Sequence, residues 1–123
     1  MLLPDLMLGS TALLLERYLD ILAARQRVTS ANVANADTPG YRAREVDFRS
    51  EMQSFLNGGA RGPFPAVTAS ERWGEGAKND GNNVSLDREM QALAENGMRF
   101  SLASLLLQKQ IRGVRNAIRE GRG

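Results

Sequence analysis

The chain has 123 residues, a length that fits one domain with a modest hydrophobic core. It contains no histidine and no cysteine. This excludes Ser-His-Asp and Cys-His catalysis, disulfides, and zinc sites built on nitrogen and sulfur ligands. The formal net charge of +2 is too small to predict a polyanionic partner by itself. We therefore expect neither an enzyme nor a protein with a bound metal or cofactor.

The N-terminal segment, residues 1–36, is predicted to be one helix with Ser10 or Thr11 as its N-cap. Its end is placed near Asn35, because Pro39 disfavours helical backbone in the residue before it. Apolar and small residues recur in steps of 4 and 3, the spacing of a coiled coil. This N-terminal stripe comprises Leu8, Ala12, Leu15, Leu19, Leu22, Gln26, Thr29, Val33 and Ala36.

The same segment bears on export. It has no basic region before its apolar run, and charged residues interrupt that run, so we expect no cleaved signal peptide. Nothing in the chain approaches about 18 uninterrupted apolar residues, so we expect no membrane span.

Residues 37–56 are predicted to be a turn followed by an extended arm. Pro39 sets φ at the second turn position and Gly40 supplies the positive φ of a type II turn at the third. Residues 41–48 then alternate as in an extended segment or one arm of a hairpin. Another helical turn is expected at residues 51–56.

Residues 57–82 are predicted to be a flexible loop, because they hold six of the twelve glycines and two of the four prolines. A second long helix is expected from Ser85 within the C-terminal segment, residues 83–123. Its apolar repeat runs for four heptads. This C-terminal stripe comprises Met90, Leu93, Gly97, Phe100, Ser104, Leu107, Ile111, Val114 and Ile118.

The expected fold is therefore mainly α and forms one structural domain. The N- and C-terminal helices pair as an antiparallel coiled-coil hairpin, with an extended arm and a poorly regular middle segment. Two stripes alone make a thin hairpin, because ordering the backbone costs about 1–2 kcal/mol per residue. We expect helices from other subunits to complete the packing.

Several polar groups were weighed as chemical sites. The carboxylate pairs Glu45 with Asp47 and Asp87 with Glu89 are interpreted as solvated. Residues 80–83 lack the alternating oxygen ligands of a calcium loop and are interpreted as a turn. A basic flank on the last helix is interpreted as solvated or protein-facing, since no aromatic residues accompany it. Its residues are Lys109, Arg112, Arg115, Arg119 and Arg122.

The stretch SANVANADTPGYRAREVDF, residues 30–48, resembles the N-terminal signature of bacterial flagellar rod and hook proteins. Its form is most similar to the proximal rod members, and residues 82–119 resemble their C-terminal helix. The resemblance implies a structural subunit of the proximal rod, which assembles by helix packing into the axial drive shaft for motility. It also implies that residues 38–48 connect subunits.

The candidate site residues follow from these two patterns. The turn and arm motif comprises Asn32, Asn35, Asp37, Thr38, Pro39, Gly40, Tyr41, Val46 and Phe48. The asparagines, with Asn83, have two open interpretations, local backbone bonding or contact with another subunit. Tyr41 and Phe48 either cover the hairpin or contact a neighbour. The assembly stripes comprise Leu15, Leu19, Leu22, Val33, Met90, Leu93, Phe100, Leu107, Ile111, Val114 and Ile118.

The partners implied by the resemblance are copies of this chain, other rod proteins, and inner-membrane ring and export-gate proteins at the rod base. Nucleic acid is not expected. The implied location is the periplasmic rod of the basal body, reached through the flagellar export apparatus without a cleaved signal. The alternative is a small helical adaptor or export chaperone that binds a partner helix.

Overall fold

The computed structural model describes the backbone of residues 2–58, 65–72 and 76–122, with side chains from residue 9 to residue 121 of these ranges. The elements in chain order are α1 (Leu2–Ala34), β1 (Arg44–Glu45), α2 (Phe48–Asn57), β2 (Ser70–Glu71) and α3 (Leu86–Arg122).

The two long helices form an antiparallel hairpin, which confirms the predicted fold class. The side chain of Asn32, near the end of α1, bonds Glu89 at the start of α3. Further along, Asn96 bonds the backbone of Leu22, and the first half of α1 shares a groove with residues 102–106. The two helices therefore run in opposite directions along the whole contact.

The ends of the two long helices differ from prediction by more than one residue at one place only, the start of α1. Helix α1 begins at Leu2, so Ser10 and Thr11 lie inside it and the predicted N-cap is wrong. Pro4 allows this early start, because the first turn of a helix leaves its N–H groups without intrahelical partners. The end at Ala34 and the start of α3 at Leu86 each lie one residue from the predicted Asn35 and Ser85.

The hydrophobic core is small and lies between α1, the arm and α2. One cluster joins Ile21 and Ala24 of α1 to Val46 of the arm. A second joins Ala36, Ala43 and Val84 where the chain turns. The arm contributes Val46 to the first cluster and Ala43 to the second. Burial of these apolar side chains, together with hydrogen bonds, holds the arm against α1.

The N-terminal stripe faces inward. Leu22 and Thr29 are buried, and Leu15, Leu19 and Val33 are half-buried. The side chain of Leu8 lies outside the described part of the chain.

The C-terminal stripe is only half inward. Leu93, Leu107 and Val114 are half-buried, whereas Met90, Phe100, Ile111 and Ile118 are exposed. The buried positions of α3 are Glu89, Asn96 and Ala103, each one residue before a predicted stripe position. At these three steps the inward position is therefore one residue earlier than predicted. It is occupied by a hydrogen-bonded polar side chain (Glu89 or Asn96) or by a small one (Ala103).

The turn after α1 is confirmed as predicted. Gly40 has a φ of 76°, and the Tyr41 N–H donates to the Thr38 carbonyl at 3.2 Å. The positive φ is the value that the third position of a type II turn requires.

The arm is shorter than predicted and folds back on its own chain. Strand β1 pairs antiparallel with β2, with Arg44 opposite Glu71 and Glu45 opposite Ser70. Buried Ala43 and Val46 are three residues apart, so the strict alternation expected over residues 41–48 is wrong. The extended segment ends where Asp47 caps α2, since its side chain accepts from the Ser50 N–H at 3.1 Å. Helix α2 is longer than the helical turn predicted for residues 51–56.

The predicted loop, residues 57–82, contains packed structure in its described parts. Strand β2 lies in it, and the side chains of Arg72 and Asn82 are buried. Residues 59–64 and 73–75 lie outside the described part, as does the conformation expected for them.

Candidate assembly site

Asn32 binds the arm to α1. Its side chain is fully buried, its Nδ2 donates to the Arg44 carbonyl at 2.9 Å, and its Oδ1 accepts from the Arg44 N–H at 3.0 Å. One amide side chain thus satisfies both backbone groups of a strand residue, as a neighbouring strand would. The Tyr41 hydroxyl donates to the same Oδ1 at 3.3 Å. Asn32 is therefore committed to its own chain.

A buried ion pair lies directly beside this amide. The Glu89 side chain is 1% exposed and accepts from Arg72 Nη1 at 2.6 Å and from Asn32 Nδ2 at 3.1 Å. Arg72 also reaches Glu45 at 3.4 Å. The interpretation of Glu89 as solvated is therefore wrong, because a guanidinium and an amide compensate for its loss of water. Asp87, Glu45 and Asp47 are exposed, as expected.

Two consecutive asparagines attach the start of α3 to the turn. Asn82 is fully buried, and its Nδ2 donates to the carbonyls of Asn35 and Thr38, both at 2.8 Å. The Asn83 Oδ1 accepts from the Ala43 N–H at 2.6 Å. These bonds satisfy carbonyls at the C-terminal end of α1 and an arm amide that would otherwise be buried without partners. Sequence reasoning did not select Asn82 as a site residue, although it directly precedes Asn83.

The turn itself rests on a second turn. The Gly40 N–H donates to the Asp80 carbonyl at 2.8 Å. Gly81 has a φ of 86°, and a Cβ added there would lie 3.5 Å from the Gly40 Cα. The Asp80 carboxylate accepts from the Asn82 N–H at 3.0 Å, which agrees with a turn at residues 80–83. Two glycines with positive φ therefore touch where the chain leaves α1.

The remaining motif residues divide into covered and exposed ones. Tyr41 packs on the second core cluster, Val46 lies in the first, and Phe48 meets Tyr18 edge to face with ring centroids 5.2 Å apart. By contrast, the turn residues Asp37, Thr38 and Pro39 are exposed. The Asn35 Nδ2 bonds the Ala31 carbonyl at 2.8 Å and its Oδ1 accepts from Thr38 Oγ1 at 3.1 Å, so it acts locally.

Helix α2 is fixed by charged and polar contacts. Arg17, which is buried, donates to the Pro65 carbonyl at 3.0 Å and lies 3.5 Å from the Glu51 carboxylate. The other Glu51 oxygen accepts from the Thr68 N–H at 3.0 Å. At the start of α2, hydrogen bonds from the Ser50 N–H and hydroxyl lower the pKa of Asp47 from its ordinary value. Sequence reasoning did not select Arg17 or Glu51.

Helix α3 carries an apolar segment that its own chain leaves uncovered. Between residues 98 and 106 the helix carries six apolar side chains beside the polar Arg99, Ser101 and Ser104, and Ala103 takes its inward face. We call the exposed residues the apolar segment of α3: Met98, Phe100, Leu102, Leu105 and Leu106, with exposed fractions from 41% to 75%. Leu102 and Leu106 also line a groove of about 270 Å³ against α1 and α2.

The part of the chain that the structure describes offers no cluster of acidic residues that could hold a metal ion. Within that part, no helix has an apolar stretch long enough to cross a membrane. The residues of the basic flank whose side chains are described are all exposed. The geometry thus provides a braced hairpin with an uncovered apolar segment.

The chain resembles known proteins over most of its length. A family model described as "Flagella basal body rod protein" matches residues 19–42, which span the second half of α1 and the turn. The chain is 33% identical to the flagellar basal body rod protein FlgB of Salmonella typhimurium, over 86% of this chain and 91% of that protein. It is 34% identical to FlgB of Escherichia coli over the same shares. It is 31% identical to FlgB of Borreliella burgdorferi, over 70% of this chain and 78% of that protein.

Proposed function

Because this chain belongs to the FlgB family of flagellar basal body rod proteins and has the role of a structural rod subunit, we propose that it packs into the proximal rod through the apolar segment of α3. The observation that supports this is the exposure of five large apolar side chains within nine residues of one helix. Such a patch on a monomer marks a surface for association.

The proposed partners are copies of this chain and other rod proteins on the apolar segment, with inner-membrane ring and export-gate proteins at the rod base. Within the basal body, the proposed location is the periplasmic part of the rod, reached without a cleaved signal peptide. The role is structural and not catalytic. The braced turn supports it, because a fixed angle between α1 and the arm gives every subunit the same shape for repeated packing.

The test is the composition of purified basal bodies from a strain that carries an epitope-tagged copy of this chain. We expect the tagged chain, with its N-terminus intact by mass spectrometry, in basal bodies stripped of hook and filament. A strain lacking the gene should be non-motile and have no rod. A chain found only in the cytoplasm, bound to one other protein, would support the adaptor or chaperone alternative and contradict the proposal.

A further inference from the structure

Four arginines from four different parts of the fold line one small polar pocket. Arg25 comes from α1, Arg44 from β1, Arg72 from the residue after β2, and Arg88 from the first turns of α3. The pocket has a volume of about 90 Å³, whereas a single water needs roughly 10–15 Å³. Its size therefore suits a small charged group.

The described residues at this pocket carry an excess of positive charge. Among the described residues, Glu45 is the one acidic residue in the lining, and buried Glu89 pairs with Arg72 behind it. Arginines therefore outnumber carboxylates in the described part of the lining. Gathering like charges costs free energy that an added anion would offset.

Arg25 is the arginine best placed to take such an anion. It is half-buried, and the positions three and four residues away on α1 are Ile21, Leu22, Val28 and Thr29, none of them acidic. Elsewhere on the hairpin, Arg99 bonds Glu95 four residues away at 2.6 Å. The planar guanidinium fork matches the two oxygens of a carboxylate.

We infer that this pocket, called here the arginine pocket, is a docking site for an acidic side chain of a neighbouring subunit. This rests on the proposed function, because it requires a neighbour in the rod. The pocket lies where the arm, α1 and the start of α3 meet, so a carboxylate bound there joins the neighbour to all three. The apolar segment provides contact area, and the arginine pocket selects the orientation of the contact.

Zero-length cross-linking in purified basal bodies tests the inference. The Arg25→Lys variant keeps the positive charge and adds an amine, which a carbodiimide joins only to a carboxylate in direct contact. The background is low, because the chain has just two lysines, Lys78 and Lys109. The matched control is Arg27→Lys, an exposed position on the same helix outside the pocket.

We expect mass spectrometry to find an amide between residue 25 of the Arg25→Lys variant and an Asp or Glu of another chain. The control should not give that product. A product joining residue 25 only to Glu45 of the same chain, or no product with another chain, would overturn the inference.

A second comparison uses charge reversal. Arg25→Glu should reduce the amount of the chain in basal bodies at least tenfold, while Arg27→Glu should leave it within twofold of the unmodified chain. Circular dichroism of the purified full chain should show the same helicity for both variants. Normal incorporation of Arg25→Glu would contradict docking of a neighbour's carboxylate at the pocket. This holds even if phosphate alone binds there. Absence of the unmodified chain from basal bodies would contradict the proposed function instead.

Discussion

At the scale of single residues, this fold depends on asparagines that replace backbone partners. Asn32 and Asn82 are fully buried, and each bonds groups more than ten residues away in sequence. Asn82 also bonds within its own loop, where its Oδ1 accepts from the Val84 N–H. Because buried polar groups without partners are costly, these side chains determine where the arm and the turn can lie.

Asn32→Ala should lower the free energy of unfolding by about 2–4 kcal/mol, since each buried polar group left without a partner costs roughly 1–3 kcal/mol. The two groups of Arg44 lose their partner. The control is Asn35→Ala, whose bonds are local, and it should cost less than about 1 kcal/mol. Urea unfolding followed by circular dichroism measures both. Equal effects would show that Asn32 does not brace the arm.

Gly40 is expected to tolerate asparagine better than valine. A Cβ at this position meets nothing within 4 Å, so the cost of substitution is conformational, and for valine at a φ of 76° it is about 1–3 kcal/mol. Asparagine enters this region more readily. Gly40→Val should therefore unfold at lower urea concentration than Gly40→Asn. Identical midpoints would contradict a positive-φ requirement.

At the scale of elements, the start of α2 has a defined pH dependence. The folded pKa of Asp47 lies below its ordinary value because Ser50 donates two hydrogen bonds to the carboxylate. Its contribution to stability is therefore present above the unfolded pKa of about 3.9 and is lost as the pH falls through the lower folded pKa.

The measurement is an NMR titration of the Asp47 carboxyl carbon. We expect its midpoint in the folded chain to lie below that of the same carboxyl in the urea-unfolded chain. In Ser50→Ala, which removes the hydroxyl donor, the midpoint should move back toward the ordinary value. Equal Asp47 midpoints in the folded and unfolded chains would contradict the cap.

Two positions on α3 separate folding from assembly. Ala103 is buried against α1, whereas Leu105 lies two residues later and is 48% exposed. Ala103→Asp buries an unpaired charge and should destabilise the hairpin by several kcal/mol. Leu105→Asp should change the unfolding free energy by less than about 0.5 kcal/mol but prevent incorporation into basal bodies.

Urea unfolding and the composition of basal bodies measure the two effects separately. If Leu105→Asp destabilises the isolated chain as much as Ala103→Asp, the outward orientation of the apolar segment is wrong.

The predictable parts of this fold were the local ones. The end of α1, the turn at Gly40 and the start of α3 follow from Pro, Gly and Ser at fixed offsets. The hairpin follows from two matching repeats. The inward face of α3 could not be predicted, because burial of Glu89 depends on Arg72 and Asn32, which are distant in sequence. The pairing of β1 with β2 is likewise non-local, and a two-residue strand has almost no pattern of its own.

At the scale of the whole molecule, a small core and a large exposed apolar area belong together. The core clusters lie around the turn, the arm and the middle of α1, so the chain braces its bend and leaves α3 between residues 98 and 106 for other chains. An assembly subunit needs both features. Each chain must hold one shape before it packs, and its packing surface must remain open until a neighbour arrives.

The most direct test of the central claim is a map of the intact basal body at a resolution that shows side chains. We predict α1 and α3 of this chain as a hairpin within the proximal rod, with Met98, Leu102 and Leu105 covered by helices of neighbouring subunits. A map in which these three side chains face open solvent, or in which this chain is absent from the rod, would contradict the account.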